Sequence, residues 1–294
     1  MNKERKNNKG SSLKLKNNFQ TIPSLFIILY LFIIQYSLFI GGAWADCTIR
    51  GVNENAPLLC GFATQGGWLY GESEWYVNGN SPGIFIIPLA MDAPEIVSIE
   101  FCRRSRRRDC QTFEYAIEQR KFPEQHVTVA PRFMERTPEI QARMDRENKK
   151  IREARKSVNK TKTGFLDFRY PFARRYRTSS VFGARRVFNG VPMNPHMGWD
   201  IAAPKGTEVF AIGIGTVTLT LDAYMPGKTV IIDHGFGMHS IYIHLDRIDV
   251  NIGDKVAHDT VIGTVGATGR VSGPHLHLGL YHNQIALDPE LLFK

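Results

Sequence analysis

Five side chains in the C-terminal part of the chain have the types and spacing of a metal-centred hydrolytic site. The run Gly273-Pro274-His275-Leu276-His277-Leu278 holds two histidines two positions apart, and His196-Met197-Gly198-Trp199-Asp200 and Tyr242-Ile243-His244-Leu245 lie upstream. In an extended strand alternate side chains share a face, so His275 and His277 point one way while Leu276 and Leu278 point the other. Catalytic zinc takes three protein ligands from His, Asp or Glu and keeps a fourth position for water. His196 and Asp200 are four apart, which suits one turn of helix or one side of an extended loop, and Pro195 and Gly198 argue for the loop. His277 supplies the third ligand. His244 and His275 then remain for proton transfer and for stabilising a developing oxyanion. Zinc would bring the pKa of a water molecule towards about 7 and polarise a scissile carbonyl. The chain contains no His-Glu-x-x-His helix, so thermolysin-like chemistry is excluded.

These residues need short, well-positioned strands, and the surrounding sequence supplies them. From Phe165 onward the texture is brief β segments punctuated by Gly and Pro, among them 208–212, 215–221, 229–233, 240–244 and 261–265. A mainly β catalytic domain spanning 164–294 is predicted, with barrel-like or sandwich architecture. Before it, residues 137–158 read as a charged helix with Thr137 as N-cap and Pro138 at the first helical position. Ile140, Met144, Ile151, Ala154 and Val158 form its apolar stripe, on which Glu147 intrudes. The run Lys160-Thr161-Lys162-Thr163-Gly164 reads as a hinge, so the linker is 131–163. Residues 46–130 read as a small β-rich domain. Alternation in 95–102 and 112–117 predicts a hairpin, whose tip (Arg103-Arg104-Ser105-Arg106-Arg107-Arg108-Asp109) is a solvated loop or a contact for anionic wall polymer or phospholipid head groups.

The formal charge of +9 overstates how basic the body is. Residues 1–45 hold six Lys/Arg and one acid, leaving 31 bases against 27 acids in the rest, an excess that demands no nucleic acid. That N-terminal stretch reads as a targeting segment. Basic residues precede an apolar run from Ile22 to Ile40, and Ala43-Trp44-Ala45 has the small-x-small form of a signal-peptidase site. Cleavage would leave Asp46 first. The rival is an uncleaved membrane tether through residues 22–40, and Cys47 is a poor lipoprotein site because Asp46 precedes it. Either reading sends the body out of the cytoplasm. The four cysteines agree, since an even count in an exported chain suggests two disulfides. Short loops favour Cys47–Cys60 and Cys102–Cys110 among the three pairings, and the lack of Cys-x-x-Cys spacing argues against a zinc site on cysteines.

Residues 182–288 resemble the lysostaphin-type (LytM-type) zinc metallopeptidases, which cut peptide cross-bridges of peptidoglycan. The matching stretches are Phe182-Gly183, His196-x-Gly198-x-Asp200, Ala203-Pro204-x-Gly206-Thr207, Gly215-x-Val217, Tyr242-x-His244-Leu245 and 269–278. The resemblance implies zinc on His196, Asp200 and His277, one ion per catalytic domain, and catalytic roles for His244 and His275. It implies an antiparallel sheet of the duplicated hybrid motif type that forms a narrow groove over the metal. It also implies a peptidoglycan substrate; the targeting segment suggests a periplasmic location, and in that wall the D-Ala–diaminopimelate bond is expected ahead of glycine-rich bridges. Some relatives of this kind have lost zinc ligands and act as regulators of other wall hydrolases; all five residues are present here. A regulatory partner, or a front half that closes the groove, is compatible with the sequence. Of the remaining histidines, His234 is expected in a turn, His239 on the face opposite His244, and His126, His258 and His282 on the surface. Tyr242 is expected to line the groove, and Arg185-Arg186 to be a solvated strand end or a grip on substrate carboxylates.

Overall fold

Apolar alternation in the C-terminal half resolves into one large antiparallel sheet, and the seven strands that build the site are labelled here in chain order. They are β1 (Arg177–Ser180), β2 (Trp199–Ala202), β3 (Gly215–Ala223), β4 (Gly227–Gly235), β5 (Met238–Ile248), β6 (Val261–Val265) and β7 (Leu276–His282). The computed structural model describes residues 46–53, 56–73, 76–78, 83–104, 108–156 and 167–293. Across the sheet the order is β3-β4-β5-β7-β2-β1. One face carries the main core, including Trp199, Ile201, Val230, Ile232, Tyr242, Leu245, Leu276, Leu278 and Leu280. By the two-residue period, Asp200, Ile241, Ile243 and His277 take the opposite face. The pairing of Ile243 with His277, and of Asp200 with His277, places these three side by side there.

Strand β5 changes partners partway along. Ser240 to Ile243 pair with β7, whereas Leu245 to Ile248 pair with β6, and the register against β4 slips between Tyr242 and Leu245. His244 stands at that slip with φ of 64°, a left-handed backbone rarely taken by a non-glycine residue. A bulge of this kind re-aims one side chain. Here Tyr242 and Leu245 both enter the core, and His244 is released to the face of His277.

The front of the chain forms smaller sheets. Asp46–Ile49, Leu59–Gly61, Trp68–Ser73 and Gly83–Pro88 make a four-stranded antiparallel sheet. The predicted hairpin is present as Ile96–Arg104 and Arg108–Ala116, with Cys102 opposite Cys110. Those two cysteines form a disulfide, as expected. Cys60 is also disulfide-bonded; the side chain of Cys47 lies outside the described ones. Residues 105–107 of the basic tip, the expected hinge at 160–164 and the targeting segment 1–45 lie outside the described residues. Among those described, no helix is long and apolar enough to cross a membrane.

The charged helix runs Pro138–Ala154, with the Thr137 hydroxyl accepting from the Ile140 amide and Arg155 as C-cap, short of the expected end at 158. Ile151 and Ala154 pack with Leu219, Ile231, Ile241 and Ile243 on the sheet face that also carries His277. Glu147, the intruder on the apolar stripe, is buried for a specific purpose. Its Oε2 accepts from the Tyr224 amide at 2.9 Å and its Oε1 from Arg143 Nε at 2.7 Å. A second tie comes from strand Glu124–Val127, which pairs in parallel with Arg185–Phe188.

Candidate active site

Three of the five predicted residues converge on one point. The ligand atoms of His196, Asp200 and His277 lie within 4.8 Å of one another. His196 Nε2 is 2.8 Å from His277 Nδ1 and 3.0 Å from Asp200 Oδ1, and His277 Nδ1 is 2.7 Å from the same oxygen. Local structure delivers each one. Trp199 and Ile201 of β2 enter the core and turn Asp200 outward, Leu276 and Leu278 do the same for His277, and His196 arrives from the extended loop before β2. Gly198 makes the crowding possible. A Cβ there would stand 2.5 Å from His277 Nε2 and 2.6 Å from the Leu278 carbonyl.

Backbone carbonyls set the imidazole tautomers, because a carbonyl can only accept. His196 Nδ1 lies 2.9 Å from the Val181 carbonyl and 3.0 Å from Ser180 Oγ. His244 Nδ1 lies 2.8 Å from the Thr268 carbonyl, and His275 Nδ1 2.9 Å from that of Gly273. Each Nδ1 therefore donates, and in the neutral rings each Nε2 keeps its lone pair. His275 Nε2 is 3.8 Å from Asp200 Oδ1, and the His244 ring centre is 4.9 Å from that of His275 and 6.2 Å from that of His277. All five predicted residues are thus gathered in one cluster.

The electrostatics suit a cation. Burial alone would raise the Asp200 carboxyl, but His196 and His277 outweigh it and hold the group well below the usual carboxylate range. The Arg186 guanidinium donates to Asp200 Oδ2, which leaves Oδ1 facing the two imidazoles. Burial pushes His277 down to about 4 despite that carboxylate, so a proton is a poor occupant at neutral pH. Two imidazole nitrogens and a carboxylate oxygen, closely packed, fit a divalent ion of the zinc type. His244 is held well below the ordinary histidine range by burial and by the nearby His275 and His277 rings. A second cluster, Glu100 with Cys102 and Cys110, is not comparable, because both its sulfurs are tied in the disulfide.

Other expectations need correction. Strict alternation along the strand would set His244 on the face of Tyr242 and Ser240, but the bulge turns it away. Tyr242 is fully buried, accepts from the Ile212 amide at 2.8 Å and lines no groove. His234 is not in a turn. It lies in β4, buried, with Nδ1 2.8 Å from the Ile214 carbonyl and Nε2 2.7 Å from Ser240 Oγ. His258 is largely buried, paired at 3.0 Å with Asp167, and His282 is partly buried at the end of β7; only His126 of the three predicted surface histidines is well exposed. Arg186 grips the site's own Asp200.

Sequence reasoning missed Ser180 and Gln125. Ser180 Oγ donates to Gln125 Oε1 at 2.6 Å while facing His196 Nδ1, so a residue of the front segment buttresses a candidate ligand. Ser180 could have been suspected from its place beside Phe182-Gly183; Gln125 carries no local signal.

Comparison with known proteins agrees with this geometry. Residues 194–289 match Peptidase family M23. Peptidoglycan DD-endopeptidase ShyA of Vibrio cholerae is 42% identical over 113 residues, 38% of this chain and 26% of that protein. DD-carboxypeptidase/endopeptidase Mpg of Neisseria meningitidis is 40% identical over 113 residues, covering 38% and 26%. This chain therefore spans about a quarter of the length of either relative. A crystal structure of a Pseudomonas aeruginosa protein assigned to peptidase M23 superposes with a TM-score of 0.58 at 25% identity, over 78% of this chain and 94% of that one. The His196, Asp200 and His277 cluster and the strands that present it thus lie within the segment, residues 194–289, that matches Peptidase family M23.

Proposed function

We propose that the chain is an exported zinc metalloendopeptidase that hydrolyses peptide cross-links of peptidoglycan. The observation that carries this reading is the convergence of all five residues, with three acceptor atoms clustered for a cation and two further imidazole lone pairs beside them. His196, Asp200 and His277 would hold the ion. When bound, zinc supplies Lewis acidity that acidifies water and polarises a carbonyl.

The remaining steps belong to the chain's own groups. His244 is neutral at working pH, donates through Nδ1 to the Thr268 carbonyl, and offers Nε2 as a proton acceptor. His275, locked in the same tautomer by Gly273, offers a second Nε2 lone pair, and once that nitrogen has taken a proton from the attacking water it can pass it to a leaving amine or donate it to an oxyanion. Arg186 holds Asp200 by one oxygen. The full set of five favours catalysis over a purely regulatory role. The DD-endopeptidase activity named for ShyA supports the D-Ala–diaminopimelate cross-link as the bond cut, and a wall substrate requires export, in keeping with the N-terminal targeting pattern. Purified, zinc-loaded protein should convert cross-linked dimers of intact sacculi to monomers, read by mass spectrometry, and His244→Ala should abolish this. Unchanged dimers with the wild-type protein would overturn the reading.

A further inference from the structure

Arg270 has no role in the chemistry above, yet it sits in the loop that fixes both catalytic histidines. Two residues before it the Thr268 carbonyl holds His244, and three after it the Gly273 carbonyl holds His275. The loop is itself anchored, since the Arg270 amide donates to the Met225 carbonyl at 2.8 Å. Its guanidinium lies over the Phe188 ring at 4.7 Å, and Arg186 approaches the same ring at 5.8 Å.

The surroundings of that guanidinium are unusual. Arg270 Nη1 is buried and has no hydrogen-bond partner among the described residues. The charged groups acting on it are Arg136 and Arg186, both of its own sign. Arg186 is already committed to Asp200. A cation with a buried, unpaired nitrogen beside two others is unfavourable unless an anion completes it, and a guanidinium that lies over an aromatic ring keeps N–H donors free for a carboxylate.

We propose that Arg270, lying over Phe188, forms an anion subsite beside the reaction centre that binds the carboxylate next to the scissile amide nitrogen. This rests on the endopeptidase reading. In a D-Ala–diaminopimelate link, the carbon bearing the scissile nitrogen also carries a free carboxylate. A glycine bridge has none at that position. The subsite therefore selects the first class of cross-link over the second, and it discriminates a free carboxylate from its carboxamide.

The test uses the full chain in detergent and two uncleavable ketomethylene mimics of the D-alanyl–diaminopimelate link. One keeps the adjacent carboxylate and the other carries a carboxamide. Calorimetry should show the carboxylate mimic binding about 10- to 100-fold more tightly. Arg270→Gln should bring its affinity down to that of the carboxamide and leave the carboxamide unmoved. Arg270→Lys, which keeps charge but loses the fork, should retain part of the preference. Equal binding of the two mimics by the wild type, no binding of either, or a preference that survives in Arg270→Gln would overturn the subsite. Hydrolysis of the natural link by the same preparation reports separately on the enzymatic reading. Discrimination without hydrolysis would remove that reading and keep the subsite; hydrolysis without discrimination would do the reverse.

Discussion

Replacing Glu147 by alanine tests whether the charged helix is a brace for the active site or a plug. Its Oε2 is the acceptor for the Tyr224 amide at 2.9 Å, and Tyr224 begins the turn whose Pro226 carbonyl accepts from the His244 amide, also at 2.9 Å. Helix, turn and His244 are thus linked by consecutive hydrogen bonds. Losing a hydrogen bond to a charged acceptor costs about 1.5–3 kcal/mol. The Arg143 partner is half exposed and adds about 0–1 kcal/mol, while alanine's better helix propensity returns a few tenths. A net loss of about 2 kcal/mol follows, and hydrogen exchange at the Tyr224 amide should quicken by about 30-fold. Turnover should fall several-fold with zinc content unchanged, because His244 is loosened and the ligands are not. Glu147→Gln should suffer less, since its amide oxygen can still accept from Tyr224. Unchanged exchange would refute the bracing argument, and a rise in turnover would show that the helix obstructs the site.

Three further outcomes follow from the same contacts. Gly198→Ala drives a methyl group into His277 and should weaken zinc binding at least about tenfold in a chelator competition, within the usual cost of overpacking; unaltered affinity would show that the loop gives way freely. Burial lowers His234 to about 4 from its ordinary 6.5, so its neutral form stabilises the fold fully above pH 6.5 and that stability is lost as pH falls towards 4. The loss amounts to about 3 kcal/mol, and urea titrations across that window should flatten in His234→Gln; parallel slopes would contradict this. A fragment of residues 164–294 should be less stable and no more active than the longer chain, because it strips Arg120 from buried Asp288 (2.8 Å) and Gln125 from Ser180. A more active fragment would support closure of the site by the front half.

Legibility in the sequence followed the range of the interaction. The five site residues could be read because metal chemistry restricts residue type and a strand restricts spacing: His275 and His277 share a face as alternation requires. The same rule failed at His244. Alternation assumes an unbroken ladder, and β5 exchanges β7 for β6 at that residue, with a left-handed backbone that no composition signal announced. Strand positions such as 261–265 were recovered because both faces are packed and the apolar pattern is strong. Glu147, Gln125 and Arg270 were opaque for a different reason. Each meets a partner or a ring tens of residues away in sequence, and a polar side chain looks solvated until the fold encloses it.

The central claim divides five residues into three that hold a metal ion and two that move protons. Zinc titration with parallel turnover, on the wild type, His277→Ala and His244→Ala, tests that division directly. The account predicts one tightly bound zinc in the wild type, none at comparable affinity in His277→Ala, and full zinc with no turnover in His244→Ala. Loss of zinc in His244→Ala, or its retention with activity in His277→Ala, would contradict it.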